Sequence, residues 1–178
     1  MMTIGHSTLS IEAFLRALVE SGVKTLVDVR RFPGSRRHPQ FSQAALFASL
    51  KKAGIRGVWR EGLGGRREAV PGSINTGWKN ESFRGYADYM QTAAFEAEID
   101  WLVRLKEIDS TVVMCAEALP WRCHRSLIAD AVLARGVVVD NIFVKPDGKS
   151  ERKAHAMTSF AQVRDGRVWY PKEPVLFG

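Results

Sequence analysis

Two short apolar runs, Thr25-Leu-Val-Asp-Val-Arg30 and Thr111-Val-Val-Met-Cys115, constrain the fold more than any other feature of the chain. Each reads as a buried strand that ends in polar residues. Strands that stay apolar without alternation are covered on both faces, as in a parallel sheet flanked by helices. The intervening segments carry the helical period that such a sheet requires. Ser10 reads as the N-cap of a helix bearing Phe14, Leu15, Leu18 and Val19, with Gly22 just past its end. Ser42 opens a second helix through Leu46, Phe47 and Leu50, closed by Gly54. Phe83–Met90, Phe95–Lys106 and Cys123–Arg135 read as further helices, the middle one clearly amphipathic. Thr3–His6, Ile55–Trp59 and Val137–Val144 supply further strands, while Arg60–Lys79, broken by glycines and Pro71, reads as a long loop. Loops of that length in compact domains are usually binding loops, lids or disordered segments.

This alternation predicts a single three-layer α/β domain with a mainly parallel sheet flanked by helices, Rossmann-like in arrangement. The expected organisation is an α/β catalytic-type domain over residues 1–144 and a C-terminal extension over 145–178. The extension carries a short hairpin around Asp165-Gly166, packed on the same domain. A length of 178 residues with 46% apolar content suits one domain. No apolar run approaches the roughly 18 residues that span a bilayer; even Val132–Val144 is interrupted by Arg135, Gly136 and Asp140. Two cysteines are too few for a disulfide scaffold, and Met1-Met2-Thr3-Ile4 carries no leader pattern. A cytoplasmic protein is therefore expected.

The net charge of +7 matters because of where the charge lies: arginine supplies 17 of the 26 basic residues, eight of them between Arg30 and Arg67. A planar guanidinium suits phosphate, and a basic face attracts nucleic acid of any sequence. The same charge can also serve solubility alone.

Ligands of open parallel sheets bind beyond the carboxyl ends of the strands. Gly5-His6-Ser7, Asp28-Val29-Arg30 and Cys115-Ala-Glu117 fall there. Cys123-His124-Arg125 falls at the start of the next helix, where free N–H groups favour anions. Each group has a plainer alternative. Asp28 could cap a loop or pair with Arg30 or Arg125, His6 could cap its own loop, and Cys115 could be a small buried residue. Cys123, beside His124 and Arg125, is the better candidate for a reactive thiol. Seven residues separate the two cysteines, which is no standard ligand spacing, so neither a metal nor another cofactor is expected.

Several motifs in order resemble one family. They are Thr3-Ile-Gly-His-Ser7, Asp28-Val-Arg30 with Pro33 and Ser35, Leu63-Gly-Gly65, Phe83-Arg-Gly-Tyr86 with Tyr89-Met90, and Cys115-Ala-Glu117 followed by Cys123-His-Arg125. Over Thr3 to Asn141 they are similar to the family of domain of unknown function 488. The resemblance implies a compact α/β fold with a site built from these motifs. It also implies DNA base excision, with removal of modified pyrimidines such as 5-hydroxymethyluracil.

On this basis the leading expectation is a hydrolase, a monofunctional DNA N-glycosylase with DNA as partner and no membrane association. Arg30, Arg31, Arg36, Arg37, Arg66 and Arg67, with Ser7 and Ser35, would hold the duplex. The nucleotide would flip out against Phe32, Tyr86 or Trp59. Asp28 or Glu117 would stabilise the oxocarbenium-like sugar and activate water. His6 or His124 would support the departing base, and Arg125, near Cys123, would fix a phosphate or the carboxylate. Two alternatives stay open: a thiol- or metal-dependent enzyme acting on a small anionic substrate through Cys123, and a nucleic-acid-binding module without catalysis. A lyase using Lys24, Lys79 or Lys145 as a Schiff-base amine is a further variant. Oligomeric state is not legible in the sequence.

Overall fold

A computed structural model describes residues 1–34, 37–145 and 147–173. The apolar runs form the middle of one sheet. Its strands are β1 (Met2–Gly5), β2 (Thr25–Asp28), β3 (Arg56–Trp59), β4 (Thr111–Cys115), β5 (Asp140–Val144) and β6 (Ser150–Ala154). They lie in the order β3-β2-β4-β1-β5-β6. The first five are mutually parallel and β6 joins antiparallel to β5. In β1, β2 and β4 every residue is buried, as strands covered on both faces must be.

Successive side chains on a strand point to opposite faces, and two cores follow from that. Ile4, Leu26, Val112 and Met114 pack with Phe14, Leu18, Leu46 and Leu50 from α1 (Ile11–Glu20) and α2 (Gln43–Lys52). Val27, Val113 and Cys115 face the other way, toward α3 (Glu81–Tyr89), α4 (Ala93–Ile108) and α5 (Arg125–Leu133). The result is a three-layer α/β domain. Each fully buried Leu, Val or Phe contributes about 1.5–3 kcal/mol, so the two cores dominate stability. Ser10 caps α1 by accepting from the Ala13 N–H at 3.2 Å, as its position predicts. Ser42 holds the cap position of α2 without a side-chain bond.

Element ends differ from the sequence expectation where polar side chains take over backbone bonding. β2 stops at Asp28, not Arg30, because the Asp28 carboxylate accepts the Arg30 N–H at 3.0 Å. α5 begins at Arg125 because Pro120–Arg122 forms a separate 3-10 turn. Within the 60–79 loop a single 3-10 turn forms at Glu61–Leu63.

Beyond Val144 the chain returns to the same body. β6 completes the sheet, a strand the sequence reading did not anticipate. β7 (Gln162–Arg164) and β8 (Arg167–Trp169) form the hairpin at Asp165-Gly166, whose φ values of 50° and 75° suit a tight turn. Tyr170 is wholly buried. Its hydroxyl donates to Asp130 at 2.9 Å and its N–H to the Asn75 side chain at 2.9 Å. Asp130, also wholly buried, further accepts from His155 Nε2 (2.8 Å), the Thr158 N–H (3.2 Å) and the Thr158 hydroxyl (2.7 Å).

Candidate functional site

The carboxyl ends of β1, β2 and β4 meet the start of α5, and the motif residues converge there. Beyond Gly5 the β1–β4 pairing continues as backbone bonds, from the His6 N–H to Cys115 O (3.1 Å) and from the Ser7 N–H to Ala116 O (2.8 Å). Ser7 adopts a left-handed φ of 45°, which turns the chain sharply across the strand ends. Gly5 is required, because a Cβ there would collide with the Glu117 carbonyl. Two cavities of about 460 and 540 Å³ open at this edge. Both are lined by Arg30, Phe32, Ala116 and Glu117, so they form one cleft with Glu117 at its partition.

The two expected catalytic carboxylates have different surroundings. Asp28 is wholly buried and lines neither cavity. Its Oδ1 accepts from the Arg30 N–H (3.0 Å) and Nε (2.9 Å), and its Oδ2 from Nη2 (2.6 Å). With both oxygens taken, Asp28 holds Arg30 in place and does not touch the cleft. Arg30 itself donates through Nη1 to Phe41 O at 2.8 Å and reaches the cleft wall. Glu117 lies in the cleft, and among the described residues its carboxylate forms no ion pair and accepts only a 3.3 Å bond from the Leu119 N–H.

His6 is stacked on Phe41 at 4.2 Å between ring centroids. Its Nδ1 donates to Ser7 O at 3.0 Å, leaving Nε2 as an acceptor 3.4 Å from Arg30 Nη1. Burial, reinforced by the Arg30 charge, pushes its pKa down to about 4, so the ring is neutral at pH 7.

At the start of α5, His124 donates from Nε2 to Val29 O at 3.3 Å and turns Nδ1 toward Cys123 Sγ, 3.7 Å away. Burial lowers the His124 pKa. Cys115 and Cys123 are both free thiols. A hydrogen bond from Cys115, assisted by the Arg125 charge, draws the Cys123 pKa down to about 7 against the effect of burial. The same hydrogen bond, with burial, raises that of Cys115. Ligand atoms of Cys115, Cys123 and His124 all lie within 4.8 Å of one another. The spacing of the cysteines hides this proximity, because the Pro120–Arg122 turn folds the intervening chain back on itself.

Other expected binding residues divide. Phe32 is 63% exposed and flanked by the Arg31 and Arg66 guanidinium groups, 5.9 and 5.5 Å from its ring centre. Arg31 and Arg66 line the first cavity, while Ser7 and Arg37 line the second. Arg67 turns inward to the Gly62 and Gly64 carbonyls and lies 3.8 Å over Tyr89, away from the cleft. Tyr86 is wholly buried, its hydroxyl donating to Leu63 O at 2.8 Å, so no base can stack on it. Trp59 donates to Arg30 O at 2.9 Å and lines neither cavity. Arg125 is 1% exposed and donates to the Glu117 and Ala118 carbonyls, so it anchors the Glu117 loop and leaves phosphate to other residues. Lys24, Lys79 and Lys145 do not line the cleft. Ser35 and Arg36 lie outside the described residues. Ser82, Phe83, Gly65 and Arg122 also line the first cavity, which sequence reasoning missed. Of these, only Gly65 and Phe83 sit in motifs that could have flagged them.

An α/β domain with an arginine-lined cleft at the carboxyl edge of its sheet, holding beside a Cys-His pair one carboxylate that has no ion pair among the described residues, is the class defined by this geometry. The chain belongs to the family described as domain of unknown function DUF488, whose model matches residues 10–132. The matched span includes Asp28–Arg30 and Cys115–Arg125, while Thr3–Ser7 precedes it. No curated protein and no solved structure matches the chain. Among the described residues, no helix is long and apolar enough to cross a membrane.

Proposed function

We propose that the cleft binds DNA and hydrolyses the N-glycosidic bond of a modified pyrimidine, with 5-hydroxymethyluracil as the representative substrate. The observation that carries this reading is the position of Glu117. Among the described residues it stands unpaired, at the partition of a cleft whose other charged walls are Arg30, Arg31, Arg37, Arg66 and Arg122. No carboxylate pairs with the last four among the described residues. Such a wall suits a phosphate backbone, and exposed Phe32 offers a face for an extruded base.

In the reaction a water oxygen bonds to C1′ as the C1′–N1 bond breaks and its electron pair passes to the base. Glu117 takes one proton from that water and returns it to the departing base. The Arg30 guanidinium, held by Asp28, balances the charge that develops on the base. His6, neutral and oriented by Ser7, lines the neighbouring cavity.

The test incubates the full chain with duplexes carrying a panel of modified pyrimidines and assays for abasic sites. Release of one base is expected, with Glu117→Gln losing release but retaining the duplex. Retention by the wild-type chain should fall steeply with salt. Absence of release from every duplex overturns the reading.

A further inference from the structure

Beyond the glycosidic reading, we propose that Cys115, Cys123 and His124 form a binding site for a thiophilic divalent cation, zinc in the first instance, with its fourth position open to the cleft. Two thiolates and an imidazole nitrogen are the donors zinc prefers. Sites with three protein ligands leave the remaining position for water or substrate. At Zn–S and Zn–N bonds of about 2.3 and 2.0–2.1 Å, tetrahedral geometry sets ligand atoms about 3.5–3.8 Å apart. Cys123 Sγ and His124 Nδ1 already stand at 3.7 Å, and all three atoms lie within 4.8 Å of one another. Small side-chain rotations close the set.

The surroundings match what such ligands need. A metal-bound histidine almost always donates its other N–H to a carbonyl or carboxylate, which fixes the tautomer. His124 does so, giving Nε2–H to Val29 O and keeping Nδ1 for the cation. Gly65 leaves room beside that nitrogen, where a Cβ would stand 2.8 Å from Nδ1. Arg125 is 1% exposed, its Nε is a buried donor with no partner among the described residues, and its charge favours the thiolate of Cys123. A buried guanidinium near a thiolate tempers its charge and favours the deprotonated form that coordinates. The same three ligands line the first cavity with Glu117, so a bound cation would face whatever occupies it and offer its open position to water or an anionic oxygen.

The experiment reads the metal alone. The full chain is purified without chelator, its zinc content measured, and the stripped chain titrated with Co²⁺ while visible absorption is followed. One equivalent per chain is expected, with the ligand-field bands of tetrahedral Co²⁺ and the intense thiolate-to-cobalt bands that only sulfur ligation produces. Cys115→Ser and Cys123→Ser should each weaken binding in chelator competition by more than the roughly 10–100-fold cost of a second-shell change. Glu117→Gln, which removes no ligand, should keep the bands. Absence of thiolate bands in the folded wild-type chain overturns the proposal. So do a Cys115–Cys123 disulfide that persists in the presence of reductant and metal retention unchanged in both serine variants. Base release is not among the readouts, so failure here leaves the glycosylase reading standing, and failure there leaves this one.

Discussion

Asp28→Asn separates a carboxylate that does chemistry from one that holds a guanidinium in place. Asp28 is wholly buried and Arg30 is 6% exposed, and they are joined by an ion pair of 2.6 Å. The asparagine keeps one acceptor but sets an amide against a guanidinium that has no other anion among the described residues. Removing one partner of a buried pair costs about 3–5 kcal/mol, chiefly because the remaining charge stays buried without compensation. In a chain of this size 1 kcal/mol moves the melting temperature by about 2–4 °C, so a fall of about 6–20 °C is expected. Arg30→Met should cost a comparable amount. The double variant removes both charges together and should cost well below the sum, with a coupling of at least about 2 kcal/mol. Denaturant titration of the four proteins measures the cycle, and base release is read in parallel. If Asp28 acts only through Arg30, adding Asp28→Asn to Arg30→Met leaves the remaining activity unchanged. A loss below about 1 kcal/mol in Asp28→Asn, additive stabilities, or a further drop in release in the double variant would refute the positioning role.

The neutral, buried His6 makes stability depend on pH in a defined window. Its folded pKa of about 4 lies below the unfolded value of about 6.5, so the unfolded chain binds more protons between them. The contribution, at most about 3 kcal/mol, is therefore fully present above pH 6.5 and lost as pH falls toward 4. Denaturant midpoints at pH 7 and pH 4.5 should separate less in His6→Asn than in the wild-type chain, and equal separation sinks the idea. Tyr170→Phe removes one of the donors to the buried Asp130 carboxylate. It should cost about 1.5–3 kcal/mol, and hydrogen exchange should rise selectively across β7 and β8. Unchanged protection there would mean that the hairpin is held by other contacts.

What the sequence discloses depends on whether an element is recognised by its burial or by its neighbours. β2 and β4 are legible because both faces are covered, which leaves an apolar run and little else. β6 is not, since an edge strand reading Ser-Glu-Arg-Lys-Ala half exposes itself and carries charge, the pattern of a loop. The convergence of polar groups at strand ends follows from parallel topology, so His6, Asp28, Arg30 and Cys115–Glu117 could be brought together before any coordinates. Their roles could not, because role depends on which atoms are already committed. Both oxygens of Asp28 are taken by Arg30, whereas Glu117 forms no ion pair among the described residues, and the two look alike as strand-end carboxylates. Arg66 and Arg67 are neighbours, yet one lines the cleft and the other is bound by loop carbonyls and Tyr89. Arg122 and Phe83 join the site only through the path of the Pro120 turn and the return of the long loop at α3.

The two chemistries proposed for the segment from Cys115 to Arg125 would share one mechanical support. Arg125 donates to the Glu117 and Ala118 carbonyls and its charge favours the Cys123 thiolate, so the carboxylate's loop and the thiol both depend on the same side chain. A substitution at Cys123 can therefore displace Glu117 through Arg125 without any cation taking part in base release. Loss of activity in Cys123→Ser alone would fit a ligand, a nucleophile or a displaced carboxylate equally well. The cobalt spectrum depends on the sulfur and nitrogen ligands and is indifferent to where Glu117 points. Base release in Glu117→Gln depends on the carboxylate while leaving the sulfur ligands intact. Only the pair of measurements assigns each chemistry to its own residues.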